Sequence, residues 1–318
     1  MRIALPLLVL LAASTVSSAA EDLLADLRAE VAAITATATL KESVAAKGDG
    51  GPRYANSTVT LAGDMATYAL QYKSFLPPNE ARNRGELNDW ASGLGMTQPS
   101  VHGWYSNGFV EVRLADAQRT CSISDVCGQP KLVQEKGKIV AADYDWKLPN
   151  GTVKLRFFIL ADRPELFLRV SAIPNSPPAT LQLDFRCYPG GFVGPFDRRA
   201  HTALQEIKHA GPDLATAPLD PVKEPWIVMA DHYPGITPRP MGPCTITADP
   251  EGVASARVEI KGNYPVEPKY ETKPGVLTAT FIVREFAPTT WESARDEVAG
   301  TTAEALQAAQ QALAALPQ

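Results

Sequence analysis

Apolar and polar residues alternate strictly in four stretches of the chain. Val110, Val112 and Leu114 alternate with Glu111 and Arg113, and Leu181, Leu183, Phe185 and Cys187 alternate with Gln182, Asp184, Arg186 and Tyr188. Ala254, Ala256, Val258 and Ile260 interleave with Ser255, Arg257, Glu259 and Lys261, and Leu277, Ala279, Phe281 and Val283 repeat the pattern. Successive strand side chains point to opposite faces, so this period of two predicts half-buried antiparallel sheet. Asn150-Gly151 separates Tyr144–Leu148 from Val153–Leu160 and predicts a hairpin. Asp162-Arg163-Pro164-Glu165 then turns the chain into Leu166–Ile173, completing a three-stranded meander. Near the ends the period lengthens. Leu23, Leu24, Leu27, Val31 and Ile34 predict an N-terminal helix over 21–47, stopped by Gly48 to Pro52. The alanine-rich run from Trp291 to Leu316 predicts a C-terminal helix, interrupted near Gly300 and weakly docked. The expected fold is all-β: a large antiparallel β-sandwich over 53–288, with a short N-terminal helix and a C-terminal Ala-rich helical segment over 289–318.

Proline sharpens this picture. The 318 residues include 27 prolines, and fourteen of them fall within 174–250. Proline cannot donate to a sheet ladder, so this stretch is expected to be loop-rich, with brief strands such as Trp226–His232. Long ordered loops often carry function; covering a sheet edge is the alternative.

Charge and leader bear on partners and location. The formal charge is −5, which leaves no basic excess to neutralise phosphates and argues against a nucleic-acid partner. Residues 1–20 place Arg2 before an apolar run and end in Ser18-Ala19-Ala20, the pattern of a signal peptide. The apolar run is too short for a stable membrane span, and no later stretch is long and apolar enough. The chain is therefore expected to be secreted, periplasmic or in the cell envelope, with no transmembrane segment once the leader is removed; protein partners are unspecified. In an oxidising compartment its four cysteines are expected to pair as Cys121–Cys127 and Cys187–Cys244. No metal-ligand spacing accompanies them, and no metal or cofactor is called for.

Candidate chemistry centres on loops. The nucleophile elbow, the zinc-protease helix motif, the phosphate loop and the dinucleotide glycine fingerprint are all missing from the sequence. Of four histidines, His232 ends a predicted strand between Asp231 and Tyr233, bringing imidazole, carboxylate and phenol together. His201 follows Arg198-Arg199, a pair suited to gripping a carboxylate or sulfate. His201 and His232 are the candidate catalytic residues; a capped turn and a solvated charged loop are the structural alternatives. Trp104 and Tyr105, in His102-Gly103-Trp104-Tyr105, are candidate stacking faces for a sugar ring, or else core aromatics. Asp143 and Asp145 read as exposed hairpin acids. Arg186, Arg198, Arg199, Asp231 and Tyr233 complete the candidate binding set. His209 has no assigned role.

Glu165–Ile173, a proline-rich loop, and Thr180–Cys187 running into Tyr188-Pro189-Gly190-Gly191 form a strand, loop and strand ending in an aromatic-Pro-Gly turn. This resembles the β-supersandwich of the galactose-mutarotase-like group. The resemblance implies a large supersandwich-like fold and a carbohydrate ligand, handled by an enzyme or by a non-catalytic domain. The group's histidine acid and glutamate base have no residue-by-residue match here, so no activity is implied. Three readings follow: a carbohydrate-binding or carbohydrate-processing protein, a structural or interaction protein of the cell envelope, and a hydrolase or lyase using a loop histidine with an arginine.

Overall fold

Alternation becomes strand nearly everywhere it occurs. The computed structural model describes residues 34–46, 53–75, 93–106, 108–191, 196–209, 214–232, 241–260 and 265–317. The first strands are β1 (Ala36–Ala46), β2 (Arg53–Ala62), β3 (Thr67–Phe75), β4 (Gly93–Gln98), β5 (Val110–Ala115), β6 (Thr120–Ser122), β7 (Gln129–Gln134), β8 (Lys136–Gly137), β9 (Ile139–Leu148) and β10 (Gly151–Leu160). There follow β11 (Leu166–Pro174), β12 (Thr180–Phe185), β13 (Arg198–His201), β14 (Glu206–Lys208), β15 (Ala215–Leu219), β16 (Trp226–Asp231), β17 (Cys244–Ala248), β18 (Val253–Ile260), β19 (Val266–Thr272) and β20 (Thr278–Glu285). One helix, α1 (Trp291–Ala315), closes the order.

The strands form two antiparallel sheets. The larger, eleven-stranded sheet runs β15-β18-β19-β12-β5-β4-β3-β2-β1-β8, with β6 also on β5. The nine-stranded sheet runs β14-β13-β16-β17-β20-β11-β10-β9-β7 and contains the expected meander. The main core joins apolar faces from both sheets, among them Leu70, Val112, Leu183, Phe157 and Phe281. Edge-on aromatic contacts thicken it, such as Tyr144 with Phe157 and Trp104 with Phe109. The β9–β10 hairpin turns through Pro149 and Asn150, since Leu148 already pairs with Gly151. Gly151 has φ 154°, and a Cβ there would lie 2.4 Å from the Ile173 carbonyl oxygen. It is needed for close strand approach rather than for the turn.

Three expectations are corrected. The N-terminal helix does not extend over 36–46, which is β1, paired along its length with β2. Ala36 and Ala38 face inward while Thr37 and Thr39 are exposed, a period of two that alanine content had masked. Residues 21–33, and residues 1–20 where a signal peptide is expected, lie outside the described residues. Helix α1 runs unbroken through Gly300, where an added Cβ would meet nothing within 4 Å, so the glycine sits on an open face. The helix starts where the Thr290 hydroxyl accepts the Ser293 N–H at 3.2 Å. Its small residues Ala305, Ala309 and Ala312 let it lie close on Ala141, Phe158, Phe167 and Ile282, the outer face of the smaller sheet. Third, the cysteines are thiols and none is bridged, because no two lie at disulfide distance. A capped 3-10 turn at Ile123–Asp125 separates Cys121 from Cys127. Cys187 and Cys244 are both buried as free thiols, and burial first, with Cys187 nearby, pushes the Cys244 thiol well up. No helix among the described residues is long and apolar enough to cross a membrane.

Candidate functional site

The residues singled out in the sequence separate into core, rim and edge. Trp104, expected to stack on a ligand, is instead fully buried, edge-on to Phe109 and Phe185, and donates its indole N–H to the Arg284 carbonyl at 3.2 Å. Tyr105 comes next in the chain and packs its ring 5.0 Å from that of Tyr188, with the Arg186 guanidinium 5.4 Å over it. The backbone holds this ledge in place, because Tyr105 N–H bonds to the Arg186 carbonyl and Tyr188 N–H to that of Gly103. Burial first, and the Tyr105 phenol second, push the Tyr188 hydroxyl up to about 12. Arg198 is buried, with its guanidinium 4.9 Å over the Tyr188 ring and bonded to the Gly191 carbonyl.

From this ledge a band of charge runs across the outer face of β18, β19, β12 and β5, which are neighbours in the larger sheet. Each of these strands carries, or in β12's case is followed directly by, an acid and a base two residues apart: Arg257 and Glu259, Glu267 and Lys269, Asp184 and Arg186 (just past the end of β12), Glu111 and Arg113. Residues two apart share a face. Register sets Glu259 opposite Glu267, Arg257 opposite Lys269 and Asp184 opposite Glu111, so the shortest acid–base contacts, Lys269–Glu259 and Arg113–Asp184, run diagonally between strands. Arg186 Nε meets Glu267 Oε1 at 3.1 Å, and Lys269 Nζ meets Glu259 at 2.8 Å and Glu267 at 3.5 Å. Arg113 pairs with Asp184 at 2.8 Å. Glu267 is only 4% exposed and Glu259 9%, so this is no ordinary solvated surface.

The two ends of the band differ electrostatically. Burial alone would raise Glu259, but bonds from Lys269 and Arg257 outweigh it and hold its carboxyl below the usual range. Glu111 goes the other way. Burial raises it despite hydrogen bonds from the Ser122 and Ser124 hydroxyls, and the cross-strand neighbour Asp184 adds to the rise. The face thus holds ionised carboxylates at one end and a carboxyl that resists ionisation at the other, the difference that separates acid from base roles in paired carboxylates. Sequence reading missed the band because it treated polar positions of each strand as solvent-facing. The repeated acid–base pairing at i and i+2 in four strands was the available signal.

The histidines form a separate group on the opposite face of β13 from Arg198. His201 Nε2 and His232 Nε2 are 2.8 Å apart, and Trp291 at the start of α1 stacks on His201 at 3.8 Å and 8°. Arg199 is ion-paired with Asp197, at 2.7 and 3.1 Å, and with Glu206 at 2.5 Å. Arg198 and Arg199 point to opposite faces of one strand, which corrects the expectation that they grip one anion together. Asp231 accepts the Asp197 N–H at 2.9 Å and so braces this corner, while Tyr233 lies outside the described residues. Burial, then repulsion from His232, lowers His201 to about 4; burial and Arg199 lower His232. Both rings are neutral at pH 7, one donating to the other, an arrangement suited to clasping α1.

Neutral buried histidines make stability pH-dependent with a definite sign. The folded form resists protonation, so this contribution is complete above about pH 6.5, the ordinary histidine value, and is lost as pH falls through about 4. His201→Phe keeps a ring against Trp291 without titrating. Melting midpoints measured from pH 7.5 to 4 should therefore fall less steeply in the variant, and identical profiles would contradict the clasp.

The sequence matches no protein-family model and no curated protein. Among solved structures it is similar to the Slr1438 protein of Synechocystis sp. PCC 6803, with 7% identity, a TM-score of 0.43 and coverage of 73% of this chain and 96% of that one. A GH36 alpha-galactosidase of Geobacillus stearothermophilus is similar at 8% identity and TM-score 0.34, over 79% of this chain and 41% of that one. An alpha-galactosidase of Lactobacillus brevis gives 11% identity and TM-score 0.35, over 78% and 39%. The chain thus spans about two fifths of each galactosidase. Likeness at this level transfers neither site residues nor activity.

Proposed function

We propose that this is an exported carbohydrate-binding protein whose site is the outer face of the larger sheet, from the Tyr105–Tyr188 ledge across Arg186, Glu267, Lys269 and Glu259. The observation that carries the reading is the partly buried band of acid–base pairs on four adjacent strands, beside two phenol rings packed at a tilt. Sugar hydroxyls donate and accept at once, so they need acceptor oxygens and N–H donors side by side, which each pair supplies. The phenol rings offer an apolar surface to the C–H face of a sugar, with their hydroxyls remaining polar. Titration calorimetry of the full chain against neutral oligosaccharides tests this. Arg186→Ala or Glu267→Gln should each weaken binding by about tenfold or more, the scale of one lost charge-assisted contact. His201→Phe should leave it unchanged. If no oligosaccharide binds, or if binding survives both band variants, the reading fails and the envelope-interaction role takes its place.

One observation favours processing as a second reading. Glu111, whose ionisation burial opposes, lies across from Asp184, which Arg113 pairs, so a carboxyl reluctant to ionise and an ion-paired acid sit on neighbouring strands. Turnover of a bound sugar that disappears in Glu111→Gln while binding persists supports this reading over binding alone.

A further inference from the structure

Helix α1 covers only part of the smaller sheet's outer face. It lies where that face is apolar, at Phe158, Phe167 and Ile282. Farther along the same strands the outward positions become Thr152 and Lys154 on β10, Arg169 and Ser171 on β11, and Thr278 and Thr280 on β20. A cleft of about 570 Å³ remains there beside the last turns of the helix, within the usual size range of small-ligand sites.

The charges lining this cleft are not equally matched. Arg156 is held by both oxygens of Asp143, at 2.7 and 2.9 Å, and by the Pro317 carbonyl. Lys154 approaches Asp143 at 3.5 Å and Asp145 at 3.9 Å. Arg169 stands between Arg156 and Thr280 in the sheet register, and its one hydrogen bond among the described residues goes to the Thr280 hydroxyl at 2.8 Å. It has no ion pair among the described residues; Asp249 favours its charge only from beyond contact, and burial pulls it down. A guanidinium has five N–H donors, and keeping a charged one half-buried without an anion is costly.

We propose that this cleft binds a small hydroxylated carboxylic acid of the sugar-acid class, its carboxylate taken by Arg169. A carboxylate matches the guanidinium fork with two parallel bonds and supplies the missing countercharge. The Ser171, Thr152 and Thr278 hydroxyls, which make no hydrogen bond within the described residues, are the donors and acceptors for ligand hydroxyls. Ile173, 75% exposed, gives an apolar wall. Asp249 and Glu251 on the rim select against ligands carrying several negative charges. The site lies on the other sheet from the charged band and stands whatever that band binds.

The test is titration of the full chain with sodium D-glucuronate, methyl α-D-glucopyranoside and sodium acetate, by calorimetry and by thermal shift. Glucuronate is expected to bind and raise the melting midpoint, with the neutral glycoside and acetate each at least tenfold weaker. Arg169→Gln should remove the glucuronate response while melting no lower than wild type without ligand. Arg169→Lys, which keeps charge but loses the fork, should weaken binding severalfold, and it carries the test if the glutamine variant does not fold. Arg186→Ala should leave glucuronate binding intact. Absence of glucuronate binding, its survival in the Arg169 variants, its loss in Arg186→Ala, or acetate binding equally well would each overturn the proposal.

Discussion

Replacing Trp104 by alanine is expected to destabilise the protein by about 3–5 kcal/mol, the cost of emptying a large aromatic site in a packed core. The indole is fully buried, with Phe109 and Phe185 edge-on at 5.9 and 6.4 Å, so neighbouring rings cannot close the void without leaving their own contacts. Truncation also removes the donor that the Arg284 carbonyl accepts. Trp104→Phe retains most of the volume and removes one donor from a carbonyl that also lies in the ladder opposite Thr245, a loss of about 1 kcal/mol. Urea denaturation of the two variants separates the effects. A cost below about 1 kcal/mol for the alanine variant would place the ring at the surface and contradict the structure. Any loss of ligand binding in Trp104→Ala therefore reports unfolding, and Tyr105 is the aromatic to test for stacking.

The second large effect is expected at Asp143. Asp143→Ala leaves the Arg156 guanidinium, only 11% exposed, without the carboxylate that grips it at 2.7 and 2.9 Å. Orphaning one partner of a buried pair costs about 3–5 kcal/mol, whereas replacing both with apolar residues is often close to neutral. Asp143→Leu combined with Arg156→Met is accordingly expected to recover most of the stability lost in Asp143→Ala. Arg156 also bonds the Pro317 carbonyl, so its single replacement should loosen the end of α1, read as faster proteolysis of the C-terminal segment. Equal losses in the single and double variants would show that the pair does not act as a unit.

Asp143 also shows where sequence reading stops. It and Asp145 occupy outward strand positions and read as exposed hairpin acids, yet Asp143 is 4% exposed, gripped by Arg156 and approached by Lys154. Alternation located β5, β12, β18 and β20 because a strand's period depends only on its own residues. It did not locate β1, where Ala36, Ala38, Thr37 and Thr39 alternate too weakly in hydropathy to outweigh the leucine spacing upstream. The His201–His232 contact depends on the pairing of β13 with β16, and the charged band on the order β18-β19-β12-β5; neither ordering is written in any local stretch. Arg198 and Arg199 look like one cationic patch in sequence and are separated by the pleat itself.

Carbohydrate is expected to meet the larger sheet at the Tyr105–Arg186–Glu267 band and not at the histidines. Hydrogen–deuterium exchange of the full chain, with and without saturating oligosaccharide, locates the contact directly. Protection is expected in peptides covering 103–106, 182–188 and 266–270, with no change at 198–201 or at the start of α1. Protection confined to His201, His232 and Trp291, or none anywhere, would contradict it.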